Sequence, residues 1–388
     1  MSDLSLAPQT LERSRSQLPV AAYFDPELYH REARLIFERR PRYLGHELAV
    51  PEVGDHLALL QEGEGRALVR TPAGVELISN VCRHRQAVIL RGRGSTARGG
   101  TIVCPLHRWT YDLHGRLLGA PHFADDPCLS LRNEPLQGWN GLLFDAGDRD
   151  IGADLAGLAA RASFDFSGHV LDRIHVHECD YNWKTFIEVY LEDYHVGPFH
   201  PGLGNFVSCE DLRWQMGQSH SLQTVGVASS LGKALGRAGS PVYERWQGEV
   251  LRYQQGRAPA HGAVWLTLYP TVMVEWYPNV IVVSTLYPKG PQQTTNIVEF
   301  YYPEEIAAFE RDYVQAQQDA YLETCEEDDE IALRMDQGRV ALLARGDDEV
   351  GPYQSPMEDG MQHFHEWYRR RMDAAGDGMP SKVARANG

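Results

Sequence analysis

The sequence predicts an α+β protein in which a β-rich insert separates an N-terminal helix from a larger, mixed α+β domain. Three textures along the 388 residues carry that prediction. Near the start lies a helix-capping side chain followed by apolar residues at helical spacing. From about residue 45 to 150, short apolar runs such as ALVRT, VELISNV, GTIVC and WNGLLF alternate with Gly-, Pro- and Asp-rich turns. Long apolar stretches of strand composition then give way to an end rich in Glu, Gln and Ala. The expected boundaries are 1–44, 45–150 and 151–388.

Taken in order, Asp25-Pro26-Glu27 opens a helix with a capping side chain, a proline at the first helical position and an acid. LYHREARLIFERR continues it and stops before Pro41. The insert's runs read as many short strands. Residues 182–196 return to helix, and Gly197-Pro198 is expected to break it. VWLTLYPTVMVEWYP and NVIVVSTLYP read as long strands around a Tyr277-Pro278-Asn279 turn, followed by TTNIVEFYYP. From Pro303 onward the chain reads as mostly helical.

Composition narrows the function. A 43% hydrophobic content is ample for a buried core and more than one domain. The formal net charge of −16 argues against nucleic acid as a partner. YRRRM at 368–372 reads as a solvated helix end. The first 20 residues lack the apolar core of a secretory signal, and no window approaches 18 consecutive apolar residues. Six cysteines suit reduced thiols better than a disulfide framework. A cytoplasmic protein with no membrane contact is therefore expected.

Two of those cysteines have a pattern: Cys82-x-His84, nineteen residues, then Cys104-x-x-His107. Zinc ligand pairs normally have more residues between them than C-x-H allows. A [2Fe–2S] cluster with two cysteines on one iron and two histidines on the other fits better, which is the Rieske arrangement. Cys128, Cys179, Cys209 and Cys325 have no paired spacing and read as buried thiols.

The second cluster is EVYLEDYHVGPFH, residues 188–200. On a continuous helix Glu188, Glu192 and His195 fall within about 60° of one another, with Asp193 rotated away. After the helix break His200 can swing back towards His195. Two imidazoles plus a carboxylate from another element make the 2-His-1-carboxylate site of non-haem Fe(II) oxygenases. The acidic stretch ETCEEDDEIALRMDQG, residues 323–338, is the candidate source of that carboxylate.

Through NVCRHR, CPLHRWTYDLHGRLLGAPHF and NWKTFIEVYLEDYH, nearly the whole chain resembles the Rieske non-haem iron oxygenases. Gln86 and Arg108 depart from the pattern, standing where such loops usually carry glycine. The resemblance implies an all-β Rieske [2Fe–2S] domain set into a helix-grip-like α+β catalytic domain, with Fe(II) as second cofactor and O₂ as co-substrate. It implies Asp329 as the third iron ligand, with Asp328 second in order. It implies Glu192 as the electron bridge between His107 of one subunit and His195 of the next, hence a head-to-tail homotrimer. Glutamate rather than aspartate there is similar to the branch that oxidises quaternary ammonium compounds. Glu188 and Asn182 are read as groups that orient the ligands, and Asp193 as a solvated or structural residue. With no GxGxxG after a strand, electrons must come from a separate NAD(P)H-dependent reductase or ferredoxin. GRGSTARGG at 92–100 reads as a turn.

The expected reaction hydroxylates, dihydroxylates or oxidatively demethylates a small substrate. Met273, Glu275 and Tyr277 share one face if TVMVEWY is a strand, and Glu275 beside aromatics could hold a cation. Its plainer reading is pairing with an arginine or exposure to water. An aromatic acid would instead need a cation such as Arg213, Lys233 or Arg237. Two other classes stay open: a Rieske protein confined to electron transfer, and a zinc-stabilised binding module.

Overall fold

The computed structural model describes residues 17–39, 41–96, 100–231 and 239–373. The chain forms two compact units: residues through Glu38 together with those from Gly157 onward, and Arg39–Ala156. This is the expected α+β architecture with a β-rich insert.

The larger unit is built on a seven-stranded antiparallel sheet. Its order is His169–Cys179, Gln293–Pro303, Val280–Gly290, Val272–Tyr277, Ala263–Leu268, His220–Val227, Val207–Met216. The last six form a simple meander, and the turn at 277–280 falls where expected, with Asn279 in the left-handed region at φ 60°. All six residues of Ala263–Leu268 are buried, as a central strand covered on both faces requires. The helices Pro241–Tyr253 and Arg311–Arg345 pack Trp246, Val250, Tyr313, Val314 and Ala320 against Val282, Phe300 and Tyr302. A second core joins Tyr23, Leu28 and Ile36 to Trp183, Ile187, Met273, Phe364 and Tyr368.

The N-terminal helix starts as read, with Asp25 accepting from the Glu27 N–H, but its regular part is only Pro26–Glu32. Ala33–Phe37 continues as one wider π turn closed by Glu38 N–H to Ala33 O. The acidic end is a single helix of 35 residues, Arg311–Arg345, roughly 50 Å long. Gly346 ends it at φ 73°, a conformation that costs glycine little. Among the described residues no helix is long and apolar enough to cross a membrane.

One buried ion pair ties these elements together. Lys184 Nζ lies 2.7 Å from Glu32 Oε1, with both side chains shut off from solvent. Trp183 Nε1 and the Tyr368 hydroxyl also donate to Glu32. Lys184→Met leaves that carboxylate buried without a counter-charge and is expected to cost about 3–5 kcal/mol. Urea unfolding should show the loss, and Glu32→Gln in the same chain should recover much of it. A loss under about 1 kcal/mol would show that the pair is not needed.

The smaller unit holds a five-stranded sheet, ordered Arg93–Ser95, Asp55–Ala58, Arg66–Thr71, Gly74–Ser79, Asn133–Glu134, and two three-stranded sheets. One of the latter, Thr101–Val103, Thr110–Asp112 and Leu117–Gly119, carries the Cys104–His107 loop between its first two strands.

Candidate active site

The two Cys/His loops of the smaller unit share one backbone plan. Cys82 N–H donates to Ala87 O and Gln86 N–H returns to Cys82 O; Cys104 N–H donates to Trp109 O and Arg108 N–H returns to Cys104 O. Each loop turns through a left-handed residue, Gln86 at φ 55° and Arg108 at φ 62°. These are the two positions where glycine was expected, and the backbone conformation is the reason. Cys82 and Cys104 are buried, whereas His107 is exposed and His84 partly so. The imidazoles face each other, ring centroids 4.7 Å apart. Trp109 is stacked on His84 at 5.1 Å, and the buried Nδ1 of His84 has no partner. Burial raises the Cys82 thiol, but the Tyr111 hydroxyl and the N–H of His84 outweigh it and leave it below its usual range. Two buried sulfurs behind two outward imidazoles suit a cluster whose electrons leave through histidine.

In the larger unit the helix leading to the second cluster is shorter than expected. Asn182 caps it by accepting from the Lys184 N–H, and it ends at Tyr190, six residues before the expected stop. Asp193 N–H is drawn off to Met357 O, and the Glu192 carboxylate accepts from the His195 N–H at 3.0 Å, starting a new turn at Val196–Phe199. Gly197-Pro198 therefore lies inside that turn, where proline is tolerated, and breaks nothing. The shared stripe of Glu188, Glu192 and His195 is lost with the helix. Glu188 instead bonds to Tyr23, His365 and Arg339. Asn182 Nδ2 reaches Tyr23 O and Pro291 O. Neither touches a candidate ligand; both hold the helix in place.

His195 and His200 do converge, Nε2 to Nε2 at 2.9 Å. Asp328 Oδ1 stands 3.0 Å from His200 Nε2 and 3.4 Å from His195 Nε2. Asp329, first choice on the sequence, is turned away, because successive helical residues point about 100° apart. Its carboxylate meets His177 Nε2 at 2.7 Å and the Tyr181 hydroxyl at 2.6 Å. Each ring's other nitrogen is held by a carboxylate, His195 Nδ1 by Glu192 and His200 Nδ1 by Glu327, both at 2.6 Å. Glu327 was missed, although a ligand histidine calls for such a partner and EEDDE could supply it. Burial works against charge on His195, but Asp328 and Glu192 outweigh it and push the imidazole up to about 10. A divalent cation would replace those protons as counter-charge, and two imidazoles with one carboxylate are a donor set that suits Fe(II).

A pocket opens beside these three residues. Tyr190, Leu203, Tyr243, Trp246, Trp265, Tyr277 and Tyr321 supply its walls, and Glu192, Asp193, Glu275 and Asp328 its charge. No lysine or arginine is among the described lining residues. Glu275 neither pairs with an arginine nor faces water. It is 2% exposed, accepts from the Tyr277 and Tyr321 hydroxyls at 2.9 Å each, and is pushed up to about 7 by burial. Asp193 is likewise buried rather than solvated, accepts from Gln223 Nε2, and is also raised to about 7 by burial. Arg213 is exposed and off the pocket, and Lys233 and Arg237 lie outside the described residues.

Residues 167–374 match the ring hydroxylating alpha subunit (catalytic domain) family, and residues 43–133 the Rieske [2Fe-2S] domain. The chain is 64% identical over 373 residues to putrescine 2-hydroxylase of Ralstonia nicotianae, covering 96% of this chain and 100% of that one. A protein of the same name from Bordetella bronchiseptica is 59% identical over 376 residues, covering 94% and 86%. The solved quaternary ammonium Rieske monooxygenase CntA with L-carnitine has the same fold, at TM-score 0.70 and 19% identity, covering 92% and 96%.

Proposed function

The chain belongs to the ring-hydroxylating oxygenase α-subunit family, and from that premise we propose that it hydroxylates an aliphatic diamine, putrescine, at C2. As a member of that family it carries a Rieske [2Fe–2S] domain and a non-haem iron domain and is an oxygenase, not an electron-transfer protein alone. The observation that carries the substrate reading is the pocket beside His195, His200 and Asp328. Its described lining offers carboxylates and aromatic faces but no lysine or arginine, only the two candidate ligand histidines, the reverse of what an aromatic acid needs.

The reaction takes one C–H bond, O₂, two electrons and two protons to one C–OH and water. His195, His200 and Asp328 would hold the iron, which would supply O₂ activation. Glu192 and Glu327 fix the Nδ1–H tautomers and present both Nε2 atoms inward. Cys82, Cys104, His84 and His107 would hold the cluster, which would take electrons from a separate reductase or ferredoxin. In a head-to-tail trimer, Glu192 would link His107 of a neighbouring subunit to His195. In support, Glu192 is partly exposed and bonded to the side of the His195 ring away from Asp328.

The test needs no reductase. The iron- and cluster-loaded protein is reduced chemically and exposed to O₂, and cluster reoxidation is followed by visible absorbance. Putrescine is expected to speed it and to yield 2-hydroxyputrescine carrying one ¹⁸O from ¹⁸O₂. Acceleration by aromatic carboxylates or trimethylammonium compounds, with putrescine inert, would refute the diamine reading.

A further inference from the structure

Resting on the diamine reading, we propose that Asp193 and Glu275 form a two-ended clamp, each taking one ammonium of the substrate. Four carboxylates line the pocket, and two already have partners that can carry positive charge. Glu192 is bonded to His195, and Asp328 faces both Nε2 atoms. The other two are met only by neutral donors: Glu275 by two tyrosine hydroxyls, and Asp193 by the Gln223 amide. Kept ionised, two buried carboxylates in one pocket are costly unless something charged compensates them. With no lysine or arginine on the described walls, a diammonium chain is a ligand that compensates both.

Two orphaned polar atoms point the same way. Tyr190 feels the charge of both Glu275 and Asp193, and its buried hydroxyl has no hydrogen-bond partner. Gln223 donates its Nε2 to Asp193, yet its buried Oε1 is left without a donor. An ammonium beside Asp193 would bring three N–H donors into the pocket that Asp193 and Tyr190 both line. At the other end, Tyr277 and Tyr321 add aromatic faces to the Glu275 charge.

The test compares putrescine with n-butylamine, which keeps the carbon chain and drops one charge, using the reduced holoprotein exposed to O₂. A charged hydrogen bond is worth about 1.5–3 kcal/mol, or roughly 10- to 100-fold. The unaltered enzyme should favour putrescine by about that factor, expressed mainly as a lower half-saturation concentration. Glu275→Gln and, separately, Asp193→Asn should each collapse the putrescine-to-butylamine ratio towards one, with Glu275→Asp recovering part of it. N-Acetylputrescine, which neutralises one end without altering the protein, should behave like butylamine, so the test survives a variant that fails to fold. If putrescine is hydroxylated but both variants and N-acetylputrescine keep the full preference, the clamp is wrong and the diamine reading stands. If the unaltered enzyme hydroxylates no diamine, the reading and the clamp fall together.

Discussion

Asp328→Ala is expected to remove the mononuclear iron and all turnover, while Asp329→Asn keeps both. Asp328 Oδ1 is the oxygen that meets the two facing imidazole nitrogens, whereas Asp329 is engaged with His177 and Tyr181. Without Asp328, two neutral imidazoles and no anion remain to hold a dication, and affinity should fall at least about 100-fold. Losing an outer partner of a ligand alone costs 10- to 100-fold. Iron per chain, counted after subtracting the two irons of the Rieske cluster, reads the result directly. Retained iron in Asp328→Ala, with loss in Asp329→Asn, would reverse the assignment. The cluster spectrum should be unchanged in both variants, because its four ligands belong to the other unit of the chain.

Glu192→Gln is expected to leave the cluster reducible but to slow its reoxidation by substrate and O₂ at least about 100-fold. The carboxylate accepts from His195 Nδ1 at 2.6 Å and from the His195 N–H at 3.0 Å. The variant will also weaken iron binding by about 10- to 100-fold, so iron must be supplied in excess and its occupancy confirmed. A positioning role alone predicts normal reoxidation once iron is restored. A conducting role predicts that the rate stays low at full occupancy and recovers in part in Glu192→Asp. Stopped-flow absorbance of the reduced, iron-loaded protein distinguishes the two.

The parts of the molecule legible from sequence were those written in local chemistry. Cys82, His84, Cys104 and His107 stand in two short loops whose spacing is itself the signal, and His195 and His200 are five residues apart. The short-strand texture of the insert and the long strands around Asn279 were likewise local. What escaped was decided by distant partners. The Asp328 and Asp329 identities differ by one helical step, and which of them faces the histidines is set by how the Arg311–Arg345 helix packs, not by its composition. Helical periodicity through residues 182–196 was real, but Met357 O, more than 160 residues away, takes the Asp193 N–H and ends the helix early. Glu275 looked like an ordinary strand glutamate because Tyr321, which helps bury it, lies on another element.

The helix that delivers His195 is also gripped from both ends of the described chain. Tyr23 and His365 bond to Glu188, and Glu32 and Tyr368 close around Lys184. On the ribosome, the residues through His200 are made long before the helix Asp359–Asp373 exists. At 5–20 residues per second the remaining stretch of about 170 residues takes roughly 10–30 s. Until then the helix before His195 lacks its His365 support and Glu32 its Tyr368 partner, whereas the residues of the Arg39–Ala156 unit have all been made. The cluster loops are thus complete early in translation, and the described supports of the helix that delivers His195 only after synthesis has passed residue 368.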